Sequence, residues 1–166
     1  MSDPKFPIRS DPAENREWRL LADFSVSSEP GNEREAMELV AEAVRSVDLD
    51  PRNLERLKTA VSEAAMNAME HGNGYRPEVP VEIRVLASEE ELLVQITDHG
   101  GDPVPAPGAE APDLEAKLEG LQTPRGWGLF LIRNMVDEMN VATDDIHHTV
   151  ELVMYLRGGG DVSETA

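Results

Sequence analysis

Two periods of hydrophobic residues divide the chain into predicted strands and helices. Residues 18–26, WRLLADFSV, alternate closely enough to predict a strand, and residues 32–47 carry apolar side chains at helical spacing. Asp50 followed by Pro51 predicts the start of a second helix, because aspartate caps a helix and proline fits its first position. This helix carries an apolar stripe of its own and is predicted to end at the turn 72–74, Gly-Asn-Gly.

The rest of the pattern predicts a hairpin of strands 81–87 and 92–98, followed by a long loop at 99–124. It then predicts a third helix at 127–139 and two more strands, near 139–144 and at 149–157. The loop holds five of the 12 prolines, and a loop of that length inside a compact domain is typical of a functional lid or a disordered segment. This order of elements predicts an α+β two-layer sandwich, in which helices cover one face of a mixed, mostly antiparallel sheet. One domain is expected at 18–157, with tails at 1–17 and 158–166.

Composition disfavours several classes of protein. The 166 residues suit one domain, and they include no apolar run that could cross a bilayer and no apolar signal-peptide core, so a cytoplasmic location is expected. The absence of cysteine excludes disulfides and thiolate chemistry. The net charge of -18 comes without a basic cluster, so direct nucleic-acid binding is not expected and a basic protein partner fits better.

Three polar residues recur at four-residue intervals near the end of the second helix. Glu63, Asn67 and His71 therefore lie on successive turns of one face, apart from the apolar stripe. A carboxylate can accept a proton from an attacking hydroxyl, and an amide oxygen one turn away can ligate a hard cation such as Mg²⁺. The spacing alone fits an ordinary solvated helix face equally well.

The stretch TDHGGDP, residues 97–103, ends a predicted strand in an aspartate followed by glycines. Asp98 can accept a hydrogen bond from an exocyclic amine, and Gly100 and Gly101 let the backbone approach a ligand closely. Taken alone, an ordinary turn after a strand is the more economical interpretation, because Asp and Gly are common turn residues.

A glycine pair precedes the third predicted helix, in TPRGWGLFLIRNMVDEM, residues 123–139. Backbone N–H groups at a helix N-terminus attract anions, and Gly126 and Gly128 leave them accessible. Arg125 can add a charged fork for a terminal phosphate. The stretch matches neither a P-loop nor a dinucleotide fingerprint, and part of its pattern is simply a helix entry whose apolar residues enter the core.

Taken together, the three stretches resemble the GHKL-type ATPase domain with its Bergerat ATP-binding fold. Within it, they resemble the small bacterial anti-sigma factors that are also serine-protein kinases. SEAAMNAMEHG is similar to the N box of that family, TDHGGD to its first glycine box, and RGWGLFLIRNMVDEM to its second. The boxes occur in the family's order, and the resemblance extends over about 20–157.

The resemblance implies a role for each residue of the three stretches. Glu63 would be the catalytic base, Asn67 would hold Mg²⁺ against the phosphates of ATP, and Asp98 would bind the adenine amino group. Arg125 would contact the γ-phosphate, under a lid at about 99–124. The nucleotide-binding residues implied are Asn67, Asp98, Gly100, Arg125, Gly126, Gly128, Leu129 and Thr149, the last on the strand beneath adenine.

The implied function is that of an anti-sigma factor that binds a sigma factor, uses ATP and Mg²⁺ to phosphorylate a serine of an anti-anti-sigma antagonist, and forms a homodimer. An alternative within the same fold is an ATP-dependent binding or switch module without kinase turnover. A histidine-kinase catalytic domain is a weaker alternative, because no dimerisation helix with a phosphoacceptor histidine precedes the domain.

Two positions depart from the family pattern. Asp102 stands where the first glycine box of the wider superfamily usually ends in glycine, although the kinase-type anti-sigma factors often have Asp there, and this affects the expected geometry of the lid hinge. His147 and His148 precede Thr149 where a glycine is common, so the turn into that strand is expected to differ. A histidine pair can suggest a metal site, but a site of the usual kind would need at least a third ligand, which the sequence does not indicate.

Overall fold

A computed structural model describes residues 18–99, 130–143 and 147–156 of the chain. Its elements, in chain order, are β1 (Arg19–Val26), α1 (Asn32–Ala43), a 3₁₀ turn (Val44–Ser46), α2 (Pro51–Asn67), a π-helical turn (Ala68–Gly72), β2 (Val81–Ala87), β3 (Glu91–Asp98), β4 (Glu138–Thr143) and β5 (His148–Tyr155). The first strand, both helices and the hairpin predicted from periodicity are confirmed. The predicted tails and nearly all of the predicted lid lie outside the described residues.

The five strands form one sheet in the order β1-β2-β3-β5-β4. Every pairing between described strands is antiparallel. The predicted α+β class is confirmed. The sheet was predicted to be mixed but mostly antiparallel, and its described part is entirely antiparallel. β3 lies at the centre, so its last residue, Asp98, is flanked by β2 on one side and β5 on the other.

The helices pack on one face of this sheet, as predicted. α2 begins where the sequence indicated, because the Asp50 side chain accepts a hydrogen bond from the Arg52 backbone N–H at 2.8 Å. Its apolar stripe packs against alternating residues of the strands. The removal of these apolar side chains from water stabilises the folded domain. The main members are Leu57, Val61, Ala64, Ala65, Val85, Val94, Ile96 and Leu152.

The predicted helix at 127–139 ends earlier than expected. Among its described residues the helical conformation stops at Arg133, and β4 begins at Glu138. Two tight hydrogen bonds close the last turn, from Asn134 N–H to the Leu131 carbonyl and from Met135 N–H to the Ile132 carbonyl. The Asp137 N–H then donates to the Val153 carbonyl, so pairing with β5 prevails over continued helix.

The opposite face of the sheet carries polar as well as apolar side chains. Leu86, Leu93 and Val153 form a small buried cluster with Trp18 packed against it. Beside it, the fully buried Glu151 carboxylate accepts hydrogen bonds from the amides of Gln95 and Asn140, at 2.9 and 3.1 Å. Among the described helices, none is long and apolar enough to span a membrane.

Candidate functional site

The last turns of α2 bring Glu63 and Asn67 to the same side of the helix. Glu63 is partly exposed, whereas Asn67 is only 8% exposed. The Asn67 Nδ2 atom is buried and makes no hydrogen bond within the described parts of the chain. A buried amide without a partner is costly in a folded protein. A hydrogen-bond acceptor from outside the described residues would therefore stabilise this amide.

The pKa of the Glu63 carboxyl is raised above its ordinary value. Burial is the main cause, and the negative charges of Glu33 and Glu70 raise it further. A carboxylate with a raised pKa binds a proton more readily than an ordinary glutamate does. General bases benefit from this property, because a proton is transferred best when the pKa of the base approaches the working pH.

A π-helical turn, Ala68–Gly72, follows directly on Asn67. It is closed by a hydrogen bond from the Asn73 N–H to the Ala68 carbonyl at 2.8 Å. Such turns are rare and often occur at functional sites. The wider turn interrupts the four-residue spacing, so His71 does not continue the row of Glu63 and Asn67. Its Nε2 instead lies 3.8 Å from Oε1 of Glu70.

The π-helical turn places Gly72 directly against Asp98. A β-carbon at position 72 would lie 2.2 Å from Cγ of Asp98 and 2.3 Å from its Oδ2. Real β-carbons do not approach other atoms so closely, so only glycine fits. The Asp98 side chain is correspondingly buried, at 4% exposure. The sequence indicated Gly72 only as part of a turn and gave no sign of this contact.

A second contact holds the Asp98 carboxylate from the neighbouring strand. Asp98 pairs with His148 across β3 and β5, and the His148 Nδ1 lies 2.9 Å from Oδ1 of Asp98. Both side chains are buried and face the helices, on the same side of the sheet as Ile96 and Val150. His148 was not among the predicted site residues.

Thr149 lies on the other face of the sheet. Its hydroxyl is 2.9 Å from the hydroxyl of Thr97, one residue before Asp98 on β3. Because successive side chains of a strand point to opposite faces, Thr149 points away from Asp98 and from α2. The structure therefore does not bring Thr149 together with Glu63, Asn67 and Asp98, and the β5 residue beside Asp98 is its neighbour, His148.

Asn73 fastens the end of β3 to the end of the helical segment. Its side chain is fully buried, and its Oδ1 accepts a hydrogen bond from the His99 backbone N–H at 2.8 Å. Its Nδ2 donates to the Val79 carbonyl at 3.0 Å and to the Ser28 hydroxyl at 3.1 Å. One side chain thus joins three chain segments. The sequence indicated Asn73 only as a turn residue.

The remaining predicted residues lie outside the described parts of the chain. They are Gly100, Arg125, Gly126, Gly128 and Leu129. Within the described ranges, no group of three or more histidines and carboxylates is arranged to hold a metal ion. The adjacent histidines have different neighbours, because the ring of His147 contacts that of His99 at 5.0 Å while His148 contacts Asp98. The amide oxygen of Asn67 is the type of ligand that Mg²⁺ accepts, so the fit of this residue to the ion is chemically sound.

Comparison with known proteins adds a family and several relatives. Residues 26–154 match the model of the histidine kinase-like ATPase domain. The anti-sigma F factor of Bacillus cytotoxicus is 31% identical over 134 residues, which cover 80% of this chain and 89% of that protein. The anti-sigma F factor of Anoxybacillus flavithermus is 33% identical over the same shares of the two chains.

Two solved structures share the fold. One contains the RsbU and RsbW domains of a Mycobacterium tuberculosis protein, with a TM-score of 0.59 and 15% identity, over 81% of this chain and 32% of that one. The other is the SiaB–SiaC complex of Pseudomonas aeruginosa, with a TM-score of 0.57 and 15% identity, over 82% of this chain and 90% of the matched one. At this identity the likeness concerns the fold alone.

Proposed function

The chain belongs to the GHKL-type family of histidine kinase-like ATPase domains, the family of the bacterial anti-sigma factors, and on this premise we propose that it is an anti-sigma factor with ATP-dependent serine-protein kinase activity. In this proposal it binds a sigma factor and phosphorylates a serine of an anti-anti-sigma antagonist. The anti-sigma F factors that it resembles over four fifths of its length support the partner class.

The observation that carries the kinase proposal is the pairing of Glu63 with Asn67 on α2. Glu63 has a raised pKa and remains partly exposed, which suits a base that a substrate hydroxyl can reach. Asn67 is buried one turn away, and its Nδ2 atom has no hydrogen-bond partner among the described residues. On a fully solvated helix face, Asn67 would not be buried and burial would not raise the pKa of Glu63.

The chemistry assigned to these residues is the transfer of the γ-phosphoryl group of ATP to a serine. The serine oxygen bonds to the γ-phosphorus while Glu63 accepts the proton of the serine hydroxyl. At the same time the bond between the γ-phosphorus and the ADP oxygen breaks. Bound Mg²⁺, held by Asn67, would neutralise charge on the phosphates. Asp98 accepts a hydrogen bond from the adenine amine and so orients the nucleotide. Catalysis of this kind depends chiefly on positioning and on charge neutralisation.

The phosphate cradle is assigned to residues outside the described ranges. Gly126 and Gly128 would expose backbone N–H groups to the phosphates, and Arg125 would contact the γ-phosphate. Gly100 and Leu129 would complete the binding site. We assign Thr149 no contact with the nucleotide, because its hydroxyl meets Thr97 on the far face of the sheet.

The proposal also includes the setting in which the protein acts. A sigma factor and its antagonist are cytoplasmic proteins, so the cytoplasm is the expected location. The net charge of -18 suits a partner with a basic surface. A homodimer is the assembly expected from the resemblance to anti-sigma kinases.

The test is incubation of this protein with purified anti-anti-sigma proteins and with ATP labelled on its γ-phosphate. Wild type is expected to transfer the label to a serine. Glu63→Gln is expected to lower the rate by about a hundredfold or more, the typical contribution of a general base. Glu55→Gln, an exposed change on the same helix, is the matched control and should leave the rate unchanged.

The result also separates the kinase from the alternative switch module. If wild type binds ATP and the antagonist but transfers no label, the kinase assignment is wrong and a nucleotide-dependent binding module remains. If Glu63→Gln transfers label as fast as wild type, Glu63 is not the base.

A further inference from the structure

The Asp98 carboxylate is held from two sides by residues that belong to different elements. His148 on β5 approaches its Oδ1 at 2.9 Å, and the side chains of the pair are 7% and 5% exposed. Gly72 on the π-helical turn lies against Cγ and Oδ2. The carboxylate therefore has little room to rotate about its own axis.

The direction of the hydrogen bond follows from the chemistry of the two groups. An ionised carboxylate accepts hydrogen bonds and has room for about four, whereas a neutral imidazole donates from one nitrogen only. The N–H of His148 Nδ1 therefore donates to Asp98. Accepting this bond leaves the carboxylate able to accept another from a ligand.

We propose that His148 is a positioning residue for nucleotide recognition, fixing the Asp98 carboxylate so that it selects a 6-amino purine over a 6-keto purine. The inference rests on the proposed function, which assigns Asp98 to the base. A 6-amino group donates a hydrogen bond to the fixed carboxylate. A 6-keto group presents an oxygen to it instead, and two acceptors repel each other.

His148 acts through Asp98 and contacts no part of the nucleotide in this role. A purely structural role would be different in its consequences. If His148 only supplied a hydrogen bond to a buried carboxylate, its loss would lower the stability of the protein and would weaken the binding of all nucleotides equally. The ratio of the affinities for ATP and ITP separates the two roles, because the triphosphate is common to both ligands and only the group at position 6 differs.

The experiment is calorimetric titration of ATP and ITP into wild type, His148→Asn, His148→Leu and His147→Leu. Wild type is expected to prefer ATP by about ten- to a hundredfold, the range for a hydrogen bond to a charged group. His148→Asn keeps an N–H near the position of Nδ1 and should keep this preference. His148→Leu removes the donor and should lower this preference by about tenfold or more, the level of a lost hydrogen bond to a charged group.

His147→Leu is the matched control, because it removes the adjacent buried histidine, whose ring contacts His99 at 5.0 Å. It should retain the preference of wild type. The proposal is wrong if His148→Leu keeps the full preference for ATP, or if His147→Leu loses it to the same extent. If wild type binds neither nucleotide, the proposed function itself fails, which is a separate outcome.

A measurement on wild type alone covers the case in which His148→Leu does not fold. Long-range ¹H–¹⁵N spectra of histidine-labelled protein identify which ring nitrogen carries the proton, and His148→Asn assigns the signal. The expected result is an Nδ1-protonated His148 whose signal shifts on addition of ATP and shifts less with ITP. A proton on Nε2 alone, or equal shifts with both nucleotides, would overturn the proposal.

Discussion

Gly72 and Asp98 lie so close together that a β-carbon on Gly72 would come within 2.2 Å of the Asp98 Cγ. The contact joins the π-helical turn after α2 to the last residue of the central strand. It fixes the position of α2, which carries Glu63 and Asn67, relative to the Asp98 carboxylate, which we assign to the recognition of adenine. The relative position of the proposed catalytic residues and the proposed adenine-binding residue therefore depends on Gly72.

Replacement of Gly72 by alanine is expected to displace Asp98 and weaken ATP binding. The added methyl group has no space, and overpacking of a filled site typically costs about 1–3 kcal/mol of folding free energy. ATP affinity from calorimetry and stability from urea unfolding are the measurements. Gly74→Asn is the control, since a β-carbon at position 74 would meet the Arg76 Nε at an ordinary contact distance of 3.9 Å, and its φ of 62° is one that asparagine tolerates. Equal ATP affinity in wild type and Gly72→Ala would contradict the assigned role of this contact.

Replacement of Asn73 by alanine is expected to destabilise the domain by about 1–3 kcal/mol, the cost of leaving a buried polar group without its partner. The His99 N–H and the Val79 carbonyl would both lose a hydrogen bond. Urea unfolding measures the change. Asn53→Ala, in the first turn of α2, is the control and should stay within about 0.5 kcal/mol of wild type. A similar loss in both variants would show that Asn73 has no special role.

The rate of phosphoryl transfer is expected to fall as the pH is lowered. The fall should begin at a higher pH than it would for a glutamate with an ordinary pKa. The pKa of Glu63 is raised by burial and by the charges of Glu33 and Glu70, and the base works only when deprotonated. The rate should therefore rise with pH and level off above the raised pKa. Single-turnover rates across pH give the midpoint. Glu33→Gln removes one neighbouring charge and should move this midpoint to lower pH; an unchanged midpoint would contradict the assignment.

The two tyrosines are expected to ionise at unusually high pH. The hydroxyl of Tyr155 donates to the Glu138 carboxylate at 2.5 Å, and this bond is the main cause that raises the pKa of Tyr155 to about 12. The pKa of Tyr75 is also raised, first by burial and then by Glu70 and Glu33. Because the folded pKa exceeds the unfolded one, the resulting stabilisation is complete below about pH 10 and lost as the pH rises through the folded value.

Absorbance of tyrosinate against pH tests this prediction. In denaturant both tyrosines should titrate near pH 10, and in the folded protein neither should. Glu138→Gln should lower the pKa of Tyr155 and leave that of Tyr75 unchanged. Titration of both tyrosines near pH 10 in the folded wild type would contradict the structure around Tyr155.

The local pattern of the sequence was sufficient for the first strand, both long helices and the hairpin, and for the relation between two residues of the candidate site. Period and capping residues located α2, and Glu63 and Asn67 are four residues apart on that helix, so their proximity follows from helix geometry. Asp98 was predicted as a site residue because it ends a strand and is followed by glycines. His148 lies 50 residues from Asp98, and only the pairing of β3 with β5 brings the two together.

The position of Thr149 depends on the register of its strand, which a motif match does not specify. Successive side chains of a strand face opposite sides of the sheet, so an offset of one residue changes which side chain reaches the site. The register of β5 places His148 beside Asp98 and Thr149 beside Thr97. The third helix illustrates a related difficulty, because its apolar spacing continued past Arg133 while pairing with β5 ended it.

Titration of ATP into the protein, with and without Mg²⁺, tests most directly whether α2 and the end of β3 form a nucleotide site. Wild type is expected to bind ATP saturably and more tightly with Mg²⁺. Asn67→Ala is expected to lose about tenfold or more of the affinity in Mg²⁺, as for a lost contact to a charged group, and to lose little without the ion. Asn53→Ala should match wild type in both conditions. Absence of binding at millimolar ATP, or binding that depends on neither Mg²⁺ nor Asn67, would contradict the proposed site.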